Sequence, residues 1–280
     1  VTDTAIAPGE PARPATLPAR HARPRKPRPG LFGIGLGVAA VTITVLAVRA
    51  TEFSVADIFD TIGNKNPVLE ALPHAELSQI FSPRSRAAFM DTLRMAVLAS
   101  IAGSIVALPF ALLSTRFGAP WLPLRGVVRL VSGIVRAVPE ILWAMLFVAG
   151  VSIGKLAGLL ALFMFTIAVV TKLTADTIDG IDTGPLEAAD AAGAGRTQML
   201  RTAVIPQILP AYSSFVLYAF ELNIRGSAVL GFVGAGGIGE RIQFFQGQND
   251  WERMWGITVM FIAVVFVIDR ISTLLRRRLV

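Results

Sequence analysis

Arg125, Arg129, Ser132, Arg136 and Glu140 recur at intervals of four, three, four and four, which places them along one stripe if the segment is helical. The fourteen uncharged residues that follow Glu140 give only about 21 Å of helix, short of the roughly 30 Å of a bilayer core. A membrane helix here is therefore expected to recruit residues before Glu140, with Pro139 placing a helix break between the two charges. Charge brought to that depth faces a bundle interior or a water-filled route rather than lipid. For Arg136 and Glu140 two readings stand side by side, the polar lining of a transport path or an interfacial amphipathic helix. Arg125 and Arg129 fit the interfacial face better.

A second constellation is Glu221, Asn223 and Arg225. An acid and a base four apart on a helix neutralise each other locally. The alternative is that Arg225 stands free of Glu221 and meets an anion. Further on, Gly234-Ala235-Gly236-Gly237-Ile238-Gly239 matches the dinucleotide fingerprint letter for letter. That fingerprint needs a preceding strand and a helix within a strand-helix-strand unit, whereas the next long element here is apolar enough to span a membrane. The glycines are better read as letting the backbone turn sharply and pack closely. No G-x-x-x-x-G-K-[ST] occurs, so ATP handling falls to a partner. With zero cysteines and two isolated histidines, His21 and His74, thiol catalysis and a histidine-rich metal site are excluded.

The elements that must position these residues are membrane helices. Apolar residues make up 54% of the chain and charged ones 16%, against roughly 25% charged in a soluble domain. Uncharged runs of 20, 21 and 19 residues lie between Arg28 and Arg49, Arg94 and Arg116, and Arg201 and Glu221. Shorter runs of 14, 16 and 15 follow Glu140, Lys155 and Arg253. Six spans are expected, hence an all-α polytopic fold. Residues 1–30 hold six basic and two acidic side chains and many prolines. They are expected to be a disordered cytoplasmic tail, followed by a first transmembrane helix over 31–48, an outer loop over 49–90 and a core over 91–280. With the N-terminus inside, 17 of the 26 basic residues fall on the cytoplasmic side, which puts both termini there.

The loop over 176–206 carries the strongest local signal. Pro185 in a first turn, Glu187 behind it and alanines afterwards are good helix chemistry. Gly193 and Gly195 are expected to stop that helix, with Arg196 to Val204 forming a second before Pro206. Such a knob suits insertion into a groove on a soluble protein.

Glu187-Ala188-Ala189, then Gly193, then nine residues and Ala203-Val204-Ile205-Pro206 resembles the EAA loop of bacterial ABC importer permeases. Ala203 and Ile205 depart from the usual isoleucine and leucine. Four further segments together resemble the phosphonate-type permeases: 136–144, Asp182 to Pro185, 218–225 and 229–239. The resemblance covers about residues 85–278. It implies a type I ABC importer permease-like fold and a homodimer in a bacterial inner membrane. It further implies two ATPase subunits inside, which carry ATP and Mg, and a substrate-binding protein outside, with a phosphorus oxyanion as substrate. Neither a cofactor of its own nor nucleic acid is implied. Glu187, Ala188, Ala189, Gly193 and Pro206 would then couple to the ATPase. The candidates for the translocation path are Arg136, Glu140, Glu221, Asn223 and Arg225. A methionine-type importer is the nearest rival. A secondary transporter would need ion-coupling acids and often a repeat, and a membrane enzyme would need clustered acids, histidines or a metal motif.

Overall fold

The computed structural model describes residues 31–51, 54, 56, 59, 63, 66–119 and 121–279. The tail over 1–30, expected to be disordered, lies outside the described residues, as does much of 52–65. The chain divides into two units, 1–61 and 62–280. In the first, α1 (Leu31–Ala50) is a 20-residue helix with exposed apolar side chains along its length. At 1.5 Å per residue it is about 30 Å long, the thickness of a bilayer core.

The second unit is helical throughout, with no strand among the described residues. After a single turn, α2 (Pro67–Glu70), come α3 (Pro83–Leu113), α4 (Leu122–Ala137), α5 (Glu140–Val151) and α6 (Lys155–Asp179). They are followed by α7 (Gly184–Ala191), α8 (Arg196–Met199), α9 (Ile205–Gly231), α10 (Ile238–Gly247) and α11 (Trp251–Leu279). Among the described residues, five helices are long and apolar enough to cross a membrane, or six if the bent pair α4 and α5 counts as one.

At the centre of this unit are α3, α6 and α9. Lipid tails are as apolar as leucine, so helices in a bilayer associate through close backbone approach and polar contacts rather than through the hydrophobic effect. The buried face of α3 accordingly repeats small residues: Ala96, Ala99, Ser100, Gly103, Ser104, Ala107 and Ala111. A Cβ built on Gly103 would lie 2.6 Å from Thr166 Cβ on α6. Apolar clusters close the two ends, Leu162, Leu230 and Met95 at one and Ile178, Leu186, Val204 and Ile208 at the other.

The third span breaks at Pro139, as the sequence leads one to expect, but far more sharply than a kink that would let the helix borrow length from the residues before it. Val138 is extended (φ −84°, ψ 119°), as a residue before proline must be, and Pro139 caps α5. The two helices meet at 89°. The 12-residue α5, about 18 Å long, therefore gains no length along its own axis from α4, and the stripe from Arg125 to Glu140 is broken before its last member. A second correction concerns the loop: the helix beginning at Arg196 does not end before Pro206. It runs through a π turn at Leu200–Val204 into α9, with the Ile205 N–H reaching back to Leu200 O. The widened turn carries the chain past a proline that cannot donate.

The glycine segment does what its glycines permit. Gly234, Gly236 and Gly237 all have φ near +80°, and a Cβ on Gly239 would fall 1.9 Å from Ala228 O. The segment turns α9 into α10 and packs the two together, with Ile238 N–H donating to Thr92 Oγ1 at 2.9 Å. At this same end the 67–82 stretch is fastened to the start of α11. Trp255 Nε1 donates to Val68 O (2.6 Å), Glu76 N–H to Glu252 O (3.0 Å) and Arg253 Nε to Glu76 Oε2 (2.8 Å). Hydrogen bonds from Ser78, Arg253 and Gln79 hold the Glu76 carboxyl below the usual carboxylate range.

Candidate translocation path and coupling loop

At the end of the bundle opposite the glycine segment, Asp182 Oδ1 accepts the Gly184 N–H (3.0 Å) and Pro185 fills the first turn of α7. Leu186 is buried in the Ile178, Val204 and Ile208 cluster. That anchor leaves Glu187 and Ala188 exposed and Ala189 half-buried. The helix ends in a Schellman motif: Ala194 N–H donates to Ala189 O (3.0 Å) and Gly193 N–H to Asp190 O (2.9 Å), with Gly193 at φ +76°. A Cβ on Gly193 would meet nothing within 4 Å, so the backbone angle and not crowding calls for glycine. Gly195 does not stop α7. It opens α8, donating its N–H to Gln198 Oε1 at 2.9 Å.

Two side chains outside the EAA pattern hold this corner in place. Arg196 donates through Nε to Phe117 O and through Nη2 to Arg116 O, both at 2.9 Å, tying the loop to the turn between α3 and α4. Gln207 donates to Asp182 O at 3.3 Å. Nothing in the sequence flagged Arg196, because its acceptors are main-chain carbonyls 79 and 80 positions away. Pro206 is exposed where the π turn passes into α9.

The five path candidates fall into three places. Glu140, the first residue of α5, is half-buried against α9, where a Cβ on Gly226 would lie 3.0 Å from Glu140 Oε2. Its side chain makes no ion pair or hydrogen bond with another described residue. Arg136, on the far side of the Pro139 break, instead lines a cavity of about 260 Å³ between α4 and α6. The structure does not bring these two together.

Glu221 and Arg225 belong to a four-charge cluster between α9 and α11. Glu221, 4% exposed, accepts from Arg276 Nη2 at 2.7 Å, whereas Arg225 comes only to 4.0 Å. Arg225 pairs with Asp269 at 3.1 Å. Local neutralisation across one helical turn is thus the longest of the three contacts. Arg276 and Asp269 are partners that spacing could not reveal. Between these two charges in sequence, Asn223 turns the other way. It is fully buried and its Nδ2 donates to Ser100 Oγ and Thr166 Oγ1, each at 2.8 Å, joining α9 to α3 and α6 at one point.

A model of the family described as the binding-protein-dependent transport system inner membrane component matches residues 107–280. The chain belongs to that family. Among curated relatives, the phosphate-import permease protein PhnE of Mycolicibacterium smegmatis is 34% identical over 84% of this chain. The chain spans only 44% of that protein's length. The phosphite transport system permease protein PtxC of Stutzerimonas stutzeri is 32% identical over 88% of this chain and 91% of its own. Among solved structures, the MetNI methionine ABC transporter in an inward facing conformation superposes with a TM-score of 0.61. It covers 70% of this chain and 96% of the matched one, at 22% identity, a likeness that speaks for the fold alone. This family member is accordingly a multi-pass membrane protein and a transport permease component. Its all-α fold is of the type I importer permease kind.

Proposed function

We propose that this permease forms, with a second copy of itself, the translocation path of an ATP-driven importer for phosphate, phosphite, phosphonate or a related phosphorus oxyanion. The observation that carries the reading is the exposed corner from Glu187 to Gly195, set by a left-handed glycine and strapped to the bundle by Arg196. A fixed projection of this kind suits docking to a soluble motor, and this chain has no nucleotide-hydrolysing motif. ATP and Mg²⁺ belong to two copies of a partner ATPase on the cytoplasmic side, and a substrate-binding protein delivers the anion from outside. Both termini and the Glu187 corner face the cytoplasm. The names of the relatives support a phosphorus substrate, and Arg136 on α4, which has no ion-pair partner among the described residues, suits an anion, whereas Arg225 on α9 is taken up by Asp269.

The bend at Pro139 also suits a half-pore. Beyond Glu140, α5 is apolar yet buries only Ala144, leaving Leu142, Met145 and Leu146 exposed for lipid or for the second copy. An isologous pair would close the path. The role of ATP binding would be to shift a two-state equilibrium that exposes the path to alternate sides.

The test is uptake in a bacterial host lacking its own phosphorus-oxyanion importers. Co-expressed with its ATPase and binding protein, the chain should support uptake of labelled phosphate or phosphite that is lost when the ATPase cannot hydrolyse ATP. Methionine uptake in place of oxyanion uptake would install the methionine-type alternative. Uptake indifferent to the ATPase would point to a secondary transporter.

A further inference from the structure

The cavity between α4 and α6 has an unbalanced wall. Its α4 side carries Arg129, Ser132 and Arg136 and its α6 side Lys172, Asp176 and Asp179. Arg129 is committed to Asp179 (3.0 Å) and to Ser114 O (2.7 Å), and Lys172 is committed to Asp176. Arg136 makes no ion pair or hydrogen bond with another described residue, and the buried hydroxyl of Ser132, one helical turn away, has no hydrogen-bond partner. One positive charge and one hydroxyl are therefore left over in a site whose other charges cancel.

That remainder fits a particular chemistry. A guanidinium presents a planar fork of donors that matches two oxygens of a phosphoryl group, and it stays charged at any physiological pH. A neighbouring hydroxyl supplies a further donor. The cavity volume of about 260 Å³ equals roughly nine waters at about 30 Å³ each, room for one tetrahedral oxyanion and part of its hydration shell but not for a folded peptide. In its present rotamer the Ser132 hydroxyl is shut off from the cavity that its residue lines; rotation about χ1 to another staggered well would turn it to an anion oxygen and relieve the cost of leaving it without a partner.

We propose that this cavity is a binding site for a single tetrahedral phosphorus oxyanion group, held by the Arg136 guanidinium and the Ser132 hydroxyl. The site lies toward the coupling-loop end of the chain, because Arg129 bonds to Ser114 in the turn that Arg196 also grips. As a station from which the imported anion leaves, it rests on the function proposed above. As an anion site it does not. The same chemistry comes from two sources, free phosphate or the phosphodiester of an anionic lipid.

The full chain, purified in dodecyl maltoside, a detergent without phosphorus, is dialysed against labelled inorganic phosphate with and without added phosphatidylglycerol. Arg136→Gln should weaken phosphate binding by about tenfold or more, and Ser132→Ala should weaken it by a few fold, as expected for losing one charge-assisted and one neutral contact. Arg136→Lys, which keeps the charge and loses the fork, should fall between wild type and Arg136→Gln. It and Ser132→Ala carry the test if Arg136→Gln does not fold. Phosphate binding that phosphatidylglycerol leaves untouched makes the free anion the occupant. Phosphatidylglycerol that copurifies with wild type, blocks phosphate and is lost from Arg136→Gln makes it a lipid headgroup. Binding of both that is indifferent to all three substitutions, or no binding of either, overturns the proposal. Failure is separable from failure of the transport reading. Oxyanion uptake with no Arg136-dependent binding removes only this site, whereas Arg136-dependent phosphate binding in a chain that imports no oxyanion removes only the importer reading.

Discussion

Replacing Asn223 by alanine separates two roles that the residue's neighbourhood in sequence leaves entangled. If Asn223 locks three helices, the substitution removes two hydrogen bonds of 2.8 Å at a fully buried point. Hydrogen bonds between membrane helices average about 0.6 kcal/mol and reach about 1.7. The pair is thus worth about 1 to 3 kcal/mol. Two further terms oppose each other. The small cavity left behind adds to the cost, while Asn223 Oδ1, which is buried and has no partner, takes a desolvation penalty away with it. The two hydroxyls are not orphaned as donors, because Ser100 donates to Ala96 O at 2.6 Å and Thr166 to Leu162 O at 2.8 Å. Asn223→Ala should therefore destabilise by about 1 to 3 kcal/mol. Double-mutant cycles with Ser100→Ala and Thr166→Ala should each return a coupling of about 0.6 kcal/mol. The assay is unfolding in mixed micelles titrated with dodecyl sulfate, followed by tryptophan fluorescence. Coupling indistinguishable from zero in both cycles would refute the lock. A variant as stable as wild type that has nonetheless lost uptake would return Asn223 to the path.

Other expectations follow from single positions. Gly103→Ala drives a Cβ to 2.6 Å from Thr166 and should cost about 1 to 3 kcal/mol by overpacking. Gly126→Ala on α4, where nothing lies within 4 Å, should be neutral or mildly stabilising, and equal effects at the two sites would contradict the close α3–α6 contact. At the Schellman corner Gly193→Val should uncouple ATP hydrolysis from uptake while Gly193→Asn retains most coupling, since the space is open and only the φ of +76° excludes other residues. Equal loss in both would mean that bulk, not backbone angle, matters there. Because the Glu76 carboxyl is held below its usual range, the stability it contributes is present above the unfolded carboxylate value near 4.3 and is lost as pH falls through the lower folded value. The melting difference between wild type and Glu76→Gln should accordingly fade below about pH 4, and a difference unchanged from neutral to acid pH would remove the assignment.

Much of this architecture was legible in the linear chain because hydropathy and glycine act locally. Uncharged runs mark membrane helices, since a bilayer core supplies no partner for a charge or a bare backbone group. The runs after Arg28, Arg94, Lys155, Arg201 and Arg253 correspond to the five long helices. The dinucleotide look-alike at Gly234 to Gly239 joins two helices, α9 and α10, where the fingerprint needs a preceding strand. The corner at Gly193 was also visible, because a helix stop is decided by the residues that flank it.

What the tertiary structure alone decided is which charges meet. Helical periodicity put Arg136 and Glu140 on one stripe, but the 89° turn at Pro139 sends them to different surroundings, Arg136 to a cavity beside α6 and Glu140 against Gly226. Spacing paired Glu221 with Arg225, whereas Arg276, 55 residues further on, holds Glu221 and Asp269 holds Arg225. The π turn at Leu200–Val204, which fuses the second loop helix to α9, likewise left no mark that a count of residues could detect. The physical reason is common to all three. Local pattern governs whether a segment is helical and which face is apolar, but an ion pair needs two side chains at one point in space. That point is set by where other helices, packed through small residues such as Gly103 and Gly226, are able to come close.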